Sequence, residues 1–333
     1  MKKIFSFIAL AFLSVSAFAQ TCVETNVNLT GTASITFTRY EHKNLTGVFS
    51  VAADKYVLFS QGNLQYQAST NTWRFAEEQY ERMGTDGYTH NGTVYSSGNS
   101  TAYASRATQS NWIDLFGWAT SGWDGKGEGI LYQPWALSNS NTAYRDGDVA
   151  IALTGSYVNA DWAYYNKIIN GGLDSDGPQS GAWRLLTDNE WQYIFKTRDG
   201  ANDKCAFGSL MGVSGIYLLP DNWNWATIDG GSFKTNWTPI ATAQLFTNNV
   251  LTDASLWSAL EAAGVVFLPC TGNRSNTSVR NTDTYGYYWS STDLNIMKGS
   301  YVARGVLFYS GTLSSPRNLN HEWGCAVRAV RDL

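Results

Sequence analysis

Polar and apolar residues alternate along several short stretches of the chain, which is the pattern of half-buried β-strands. Residues 27–40, VNLTGTASITFTRY, alternate in this way and predict a pair of strands. Residues 47–66 predict two further strands about a turn at Ala53-Asp54. Near the end of the chain, VVFLP, GYYWSST, YVARGVLFY and CAVRAV predict a run of strands joined by polar loops.

The middle of the chain carries the helical pattern. Helices are predicted near 161–169, over 188–197 and over 252–264. Residues 84–110 are rich in Gly, Ser, Thr and Asn and predict a surface loop, and the aromatic stretch 112–135 predicts an ordered loop. Helices in the middle and strands at the end predict the α+β class, with a mainly antiparallel sheet, two or three helices and long ordered loops.

The stretch WRLLTDNEWQYIF at 183–195 places an acidic residue, Glu190, among aromatic side chains. Thr187 and Glu190 have the spacing of a capping box, in which the threonine hydroxyl and the glutamate carboxylate satisfy backbone amides at the start of a helix. The apolar residues that follow fall at helical spacing and predict a buried stripe: Trp191, Ile194 and Phe195. Glu190 is therefore predicted to be structural, with Arg184 as a further partner, and not catalytic.

The first twenty residues have the features of an export signal. Lys2 and Lys3 precede an apolar run that closes with Ala17-Phe18-Ala19, so residues 1–19 are predicted to be a cleaved signal peptide. The protein would then be periplasmic, on the cell surface or secreted. A lipoprotein anchored at Cys22 is the alternative, but the residues before this cysteine do not fit a lipobox. No later apolar run approaches the roughly 18 residues of a membrane helix, so no transmembrane segment is predicted.

The net charge and the aromatic content of the chain favour some classes of function over others. Loss of Lys2 and Lys3 takes the formal charge from −4 to −6, because residues 1–19 hold no other charged side chain. Such an acidic chain is not expected to bind nucleic acid, which needs clustered Lys and Arg. Aromatic residues make up 14% and charged residues only 15% of the chain. This balance is typical of binding surfaces, with an aromatic-rich core under long loops as the alternative.

The chain has four cysteines, Cys22, Cys205, Cys270 and Cys325. Export places them where disulfides form, and three pairings are open. The preferred disulfide is Cys270–Cys325, because Cys270 ends the apolar run VVFLPC and Cys325 opens the closing strand. Buried free thiols are the alternative. No cysteine lies in a CxxC motif or next to a histidine, which argues against zinc and thiol-nucleophile chemistry.

Several motifs resemble those of known domains. WRLLTDNEWQYIF resembles the Arg-Leu-Pro-Thr-x-x-Glu-Trp-x-Tyr element of formylglycine-generating-enzyme-like domains, with Leu186 in place of proline. GYYWSST and GCAVRAVRD resemble later strands of those domains. The order of motifs, from VLFSQGNLQYQASTNTWRFAEEQY through WIDLFGWATSGW and LLPDNW to VFLPCTGNRSNTSV, is similar to exported bacterial proteins of the Fibrobacter succinogenes major paralogous type. The resemblance implies a C-type-lectin-like domain at 48–333 with loop insertions, after an N-terminal β segment at 20–47.

The chemistry of the enzymes and calcium lectins of this fold does not carry over to the chain. Cys325 has no cysteine partner nearby in sequence, and His42, His90 and His321 lack the spacing of a metal site. The sugar-binding tripeptides Glu-Pro-Asn and Trp-Asn-Asp are absent. No metal or other cofactor is therefore predicted. Acidic turns at 124–128, 146–148 and 174–176 leave a structural calcium ion open as an alternative to ordinary Asp-Gly turns.

The tail of the chain carries the candidate ligand site. Alternation along YVARGVLFY places Phe308 on a core face and Tyr309 on the opposite, exposed face. The next segment, GTLSSPRNLNHEW, has no period and indicates a surface loop that is free to vary. Such tails resemble the targets of diversity-generating retroelements, with an ordinary tolerant loop as the alternative. The predicted ligand-binding residues are Leu307, Tyr309, Arg317, Asn318, Asn320, His321, Trp323, Asn276 and Asn295.

The sequence thus predicts an exported, non-catalytic, adhesin-like protein that binds a protein or glycan ligand at the cell surface. The alternative is a secreted enzyme that acts on polysaccharide in aromatic clefts around Trp118, Trp123 and Trp135. Binding energy in protein contacts concentrates in a few Trp, Tyr and Arg side chains. The predicted anchors are Leu307, Tyr309, Arg317 and Trp323.

Overall fold

A computed structural model describes residues 44–102, 108–123, 152–172, 182–228, 231–294 and 301–333. The predicted signal peptide, the predicted strands at 27–40 and Cys22 lie outside these residues, as do the three acidic turns considered for calcium. Within the described residues, strands are many and helices are few and short. This confirms the predicted α+β class with mainly antiparallel sheets.

The strands of the described residues are between two and nine residues long. In chain order they are β1 (Asn44–Ala52), β2 (Lys55–Ser60), β3 (Leu64–Gln67), β4 (Thr72–Phe75), β5 (Tyr88–His90), β6 (Thr93–Tyr95), β7 (Trp112–Ile113), β8 (Cys205–Leu210), β9 (Val213–Leu218), β10 (Val250–Leu251), β11 (Val266–Pro269), β12 (Asn273–Ser275), β13 (Ser278–Arg280), β14 (Tyr285–Asp293), β15 (Val302–Tyr309), β16 (Thr312–Asn320) and β17 (Val330–Asp332). The helices are α1 (Trp162–Tyr165), α2 (Asp188–Gln192), α3 (Gly231–Thr235) and α4 (Ala254–Ala262).

The strands form several small sheets instead of one large sheet. The sheets have the orders β1-β2-β17, β4-β3-β7, β10-β8-β9-β11 and β14-β15-β16, together with the hairpins β5-β6 and β12-β13. Neighbouring strands are antiparallel, except that β10 pairs in parallel with β8. The predicted turn at Ala53-Asp54 joins β1 to β2, as expected. Since β1 begins at Asn44, it runs across the predicted boundary between 47 and 48.

The sheet β14-β15-β16 separates two hydrophobic cores. Along β15, Ala303 and Leu307 belong to one core, while Val306 and Phe308 belong to the other. This alternation is what a strand with both faces covered requires. Phe308 lies in a core as predicted, but the opposite face of β15, which was predicted to be exposed, is covered as well. A third core lies between β9, β11 and α4, around Tyr217, Trp257 and Phe267.

The capping box at the start of α2 is present as predicted. The Thr187 hydroxyl accepts a hydrogen bond from the Glu190 amide, and the Glu190 carboxylate accepts one from the Thr187 amide. Arg184 donates to both oxygens of Glu190 at 2.8 and 2.9 Å and also pairs with Asp332 of the closing strand β17. Trp191 is buried behind this network. Glu190 therefore holds the start of α2 against the end of the chain.

The predicted helix over 188–197 is present over its full range, whereas the other two predicted helices are shorter than their sequence patterns. Over 161–169 only α1 forms, because Asn166 adopts an extended conformation and its amide caps the Trp162 carbonyl. The chain beyond it turns to pair Ile168 with Trp73. After α2, the residues Tyr193–Thr197 form a π-helical turn. Helix α3 was not predicted from the sequence.

The predicted loop at 84–110 contains the hairpin β5-β6. Arg74 of β4 contacts this hairpin and connects it to the sheet β4-β3-β7. The Arg74 guanidinium lies between the rings of Tyr95 and Trp112, 4.0 Å from each centroid. Its Nε donates to Gln65 at 2.9 Å, and its Nη2 donates to the Tyr88 hydroxyl at 3.0 Å. A planar cation between two aromatic rings is a stabilising arrangement. The segment is therefore ordered where its composition predicts a plain loop.

The predicted disulfide between Cys270 and Cys325 is not formed in the structure. Cys205, Cys270 and Cys325 are free thiols, and all three are buried. Cys325 packs in the same core as Leu307, whereas Cys270 packs in the core of Phe308. The two side chains thus lie in cores that the central sheet separates. Burial raises the pKa of the Cys270 thiol, with the nearby Asp283 carboxylate as a smaller cause, which disfavours the reactive thiolate.

Candidate ligand-binding face

Strand pairing brings three of the predicted ligand residues onto one face of the sheet β14-β15-β16. Tyr285 lies opposite Tyr309, and Tyr287 lies opposite Leu307. On the other side of β15, Arg317 lies opposite Gly305, two residues from Leu307. Directly paired residues in antiparallel strands project to the same face. Leu307, Tyr309 and Arg317 therefore share this face with two tyrosines of β14.

Four aromatic rings follow one another across this face. The rings of Tyr285 and Tyr309 stack with centroids 4.6 Å apart, and Tyr285 and Tyr287 stack at 6.0 Å. The ring of Trp323 meets Tyr287 edge-on at 6.2 Å. Three of the rings are half-buried, and Tyr287 is nearly covered. We call Tyr285, Tyr287, Tyr309, Trp323 and Arg317 the aromatic face.

Arg317 supplies the positive charge of the aromatic face. Its side chain is exposed, and the hydrogen bonds and ion pairs of the described residues do not include it. Burial raises the pKa of the Tyr287 hydroxyl, and the charge of Arg317 partly opposes that rise. By strand register, Arg317 pairs with Gly305 and Tyr287 pairs with Leu307, two positions further along β15. A ligand at this surface would meet both a ring and a cation.

Leu307 was predicted to be an exposed anchor. In the structure it lies beneath the face and supports it. Its side chain is only 7% exposed and packs in the core beneath the rings. Tyr309 is half-buried where full exposure was expected, because it stacks on Tyr285. Both differences arise from β14, whose tyrosines cover the side of β15 that the sequence pattern leaves open.

Asn318 and Asn320 do not join the aromatic face. Asn318 projects to the opposite side of the sheet, where its carbonyl oxygen accepts a hydrogen bond from Arg304 at 2.5 Å. Arg304 in turn lies 3.9 Å from the Asp188 carboxylate at the start of α2. Asn320 donates to the Glu322 carboxylate at 3.2 Å. Both asparagines have contacts within the protein, so their assignment as ligand residues finds no support in this geometry.

His321 is buried, which corrects its assignment as a surface ligand residue. Its ring is stacked on Trp118 with centroids 5.6 Å apart, and its Nε2 lies 3.3 Å from Asp293 Oδ1. Trp118 is fully buried as well. The aromatic cleft that the enzyme alternative places around Trp118 is therefore packed core at that position. Trp123 is half-buried, and Trp135 lies outside the described residues.

The two remaining predicted asparagines lie away from β15. Asn276 is exposed at the turn between β12 and β13, with a positive φ of 57°. This hairpin connects to the central sheet through a bridge between Gly272 and Gly286. Asn295 lies outside the described residues.

The segment that was predicted to be an aperiodic loop is mostly a strand. Residues Thr312–Asn320 form β16, which pairs with β15 along most of its length. The pairing shifts between Gly305 and Leu307, opposite Ser315 and Pro316. This irregularity breaks the alternation that would identify the strand. Gly311 before β16 and the turn after β16, which carries Trp323, are loop as expected.

Sequence reasoning missed Tyr285 and Tyr287 as members of the face. The signal was present in the alternation of Tyr287 and Trp289 along the predicted strand GYYWSST, which begins one residue after Tyr285. What the sequence could not show is that β14 pairs with β15, so that these tyrosines lie beside Tyr309.

The described part of the chain holds no cluster of metal ligands. No three His, Cys, Asp or Glu side chains there come together in a way that could hold a metal ion. None of the helices described is long and apolar enough to cross a membrane. In comparisons with known proteins, no family model, curated protein or solved structure matches the chain.

Proposed function

We propose that the protein is an exported, non-catalytic, adhesin-like protein and that the aromatic face binds its ligand. The proposal includes the C-type-lectin-like fold for residues 48–333 and a tail that retroelement-driven variation could alter. The observation that supports it is the aromatic face itself: adjacent half-buried rings with an exposed arginine beside them. Tyr, Trp and Arg are the side chains in which binding energy concentrates.

The way the face is built also supports a binding role. Its rings stand on a sheet whose opposite side is packed against a second core, so the backbone beneath them is fixed. A contact surface on a rigid element loses little conformational entropy when a ligand binds. The exposed guanidinium of Arg317 can change its contacts without disturbing that packing. These features favour recognition over a purely structural role for the face.

The first experiment changes Tyr309, Arg317 and Trp323 together to Ala and measures binding on a glycan array and to candidate cell-surface proteins. Affinity for any ligand found with the wild-type protein should fall at least tenfold, about 1.4 kcal/mol. The melting temperature should fall by only a few degrees, because the removed atoms are partly exposed.

Asn318→Ala is the matched control for this experiment. Asn318 is the chain neighbour of Arg317 but projects to the other side of the sheet. The control should keep wild-type affinity. If Asn318→Ala weakens binding as much as the triple variant, or if the folded triple variant binds normally, the aromatic face is not the ligand site. Turnover of a polysaccharide by the wild-type protein, without stable binding, would favour the enzyme alternative.

A further inference from the structure

We infer that Arg328 binds a small monovalent anion, such as chloride, in the interior of the protein. Arg328 lies in the segment that leads into the closing strand β17, and it is buried. The inference concerns a different part of the molecule from the aromatic face and does not depend on the proposed function. It adds a binding site and the class of ion that the site accepts.

The first step of the argument is the hydrogen bonding of the guanidinium, which carries N–H donors on each of its nitrogens. Nη2 of Arg328 donates to the Gln79 side-chain oxygen at 2.6 Å and to the Gln61 carbonyl at 3.2 Å. Nε and Nη1 are buried and have no hydrogen-bond partner among the described residues. A buried donor without an acceptor is destabilising, so these two nitrogens favour a bound acceptor.

The second step is the charge. Arg328 is 1% exposed, and the ion pairs of the described arginines do not include it. The hydrogen bonds connect it to an acid, Glu261, only through the Gln79 amide. Burial lowers the pKa of Arg328 to about 10, with Tyr288 and Glu261 partly opposing this, so the guanidinium stays charged at neutral pH. A buried cation without a counter-charge is costly, and a water molecule accepts hydrogen bonds without neutralising it.

Arg198 shows how the same chain buries a guanidinium that has an acidic partner. Its side chain is 0% exposed and its Nη1 lies 3.1 Å from the carboxylate of Asp221. Its Nε and Nη1 also donate to the backbone carbonyls of Ile194 and Leu219. Arg328 is buried to the same degree without such a carboxylate. An anion from solution would take the place beside Arg328 that Asp221 has beside Arg198.

The surroundings of Arg328 limit which anion fits. Its protein contacts are neutral, namely the Gln61 carbonyl and the Gln79 amide, and the nearby Tyr288 hydroxyl is a neutral donor to the Pro269 carbonyl. Gln79 and Tyr288 are fully buried, so the ion must lose its hydration shell to bind. A single negative charge matches the one guanidinium. Chloride and bromide meet these conditions, whereas fluoride holds its water too strongly and gluconate is too large.

The stability of the protein in different sodium salts tests this site. Protein refolded from urea is compared in gluconate, fluoride, chloride and bromide at one ionic strength, so that general screening is the same in every arm. For a site that only the folded state has, a rise in chloride of about a hundredfold above Kd should raise Tm by about 4 °C. Bromide should act like chloride, and fluoride should act like gluconate.

Bromide also locates the ion. In crystals grown with sodium bromide, its anomalous scattering should give a peak within about 3.5 Å of Nε or Nη1 of Arg328. Arg328→Lys keeps a positive charge but loses the planar donors, so it should remove both the peak and the difference between chloride and gluconate. Arg198→Lys is the matched control, because it changes an equally buried guanidinium that already has a carboxylate. It should lower Tm but keep the chloride response.

Either of two results would overturn the inference. Equal Tm values of the wild type in chloride and gluconate, with no bromide at Arg328, mean that water alone satisfies the guanidinium. Bromide peaks on the surface only, or a chloride response that Arg328→Lys retains, mean an adventitious ion only. If Arg328→Lys does not fold, the salt series and the bromide peak of the wild type still decide between these outcomes.

Discussion

The Glu190 carboxylate gives the sharpest test of how this fold is held together. It accepts from the Thr187 amide at 2.7 Å and from both Nη atoms of Arg184. The Arg184 backbone pairs with Val330, and its side chain reaches Asp332, so the network joins α2 to β17. Glu190→Gln keeps the shape of the side chain but replaces one acceptor oxygen with a donor. A donor in place of Oε2 faces both the Thr187 amide and Nη1 of Arg184, whereas a donor in place of Oε1 faces Nη2 of Arg184.

The cost can be estimated from these contacts. Hydrogen bonds to charged groups contribute about 1.5–3 kcal/mol each, and breaking a buried ion pair costs about 3–5 kcal/mol. The side chains of Glu190 and Arg184 are 12% and 23% exposed, so water can replace part of the lost hydrogen bonding. We expect Glu190→Gln to lower the free energy of unfolding by about 2 kcal/mol, which lowers Tm by about 3 °C in a chain of this size.

Urea denaturation of the protein measures this change, with Asp332→Asn as the control. The Asp332 side chain is 63% exposed, so losing its pair with Arg184 should cost less than about 1 kcal/mol. Both variants should keep the wild-type m-value if only stability changes. A Glu190→Gln protein as stable as the wild type would refute the structural account. So would a variant that keeps its stability but loses ligand binding or an activity, since Glu190 would then act on the ligand.

Three further predictions follow from the same structure. Thr187→Ala should lower the free energy of unfolding by about 1 kcal/mol in urea denaturation, as loss of a cap does, and an unchanged midpoint would contradict the capping box. Burial raises the pKa of Asp161 to about 7, well above its unfolded value near 3.9. The folded state therefore holds this proton more tightly than the unfolded state does. The resulting stabilisation is complete below pH 4 and is lost as pH rises through 7. The free energy of unfolding should therefore fall from pH 5 to pH 8, and more steeply in the wild type than in Asp161→Asn; equal slopes would contradict this. Alkylation after denaturation without reductant should label both Cys270 and Cys325, and a peptide that links them would show that the disulfide forms after all.

The features that the sequence predicted correctly depend on residues close together in the chain. The capping box of Thr187 and Glu190 needs only a spacing of three residues. The turn between β1 and β2 and the placement of Phe308 in a core follow from local alternation. In each case, the physical cause acts within one strand or one helical turn.

The features that were missed depend on partners far away in the chain. The local sequence predicts that His321 is a surface residue. In the structure it is buried because it stacks on Trp118, about two hundred positions earlier in the chain. Leu307 is buried because β14 supplies the layer that covers it. The sheet pairing itself needs Gly286, since a Cβ there would lie 2.1 Å from the Phe308 ring. Such contacts are decided by the tertiary structure, and no local pattern specifies them.

The position of Arg74 between two rings has a consequence for how the hairpin β5-β6 opens. One guanidinium contacts the Tyr95 ring of β6 and donates to the Tyr88 hydroxyl of β5, so opening the hairpin removes both contacts of this nearly buried cation together. Local fluctuations of the segment 84–102 are therefore expected to be cooperative and not a gradual fraying. In hydrogen exchange, the protected amides of β5 and β6 would share one opening free energy, so this glycine-rich stretch would behave as a single unit of unfolding.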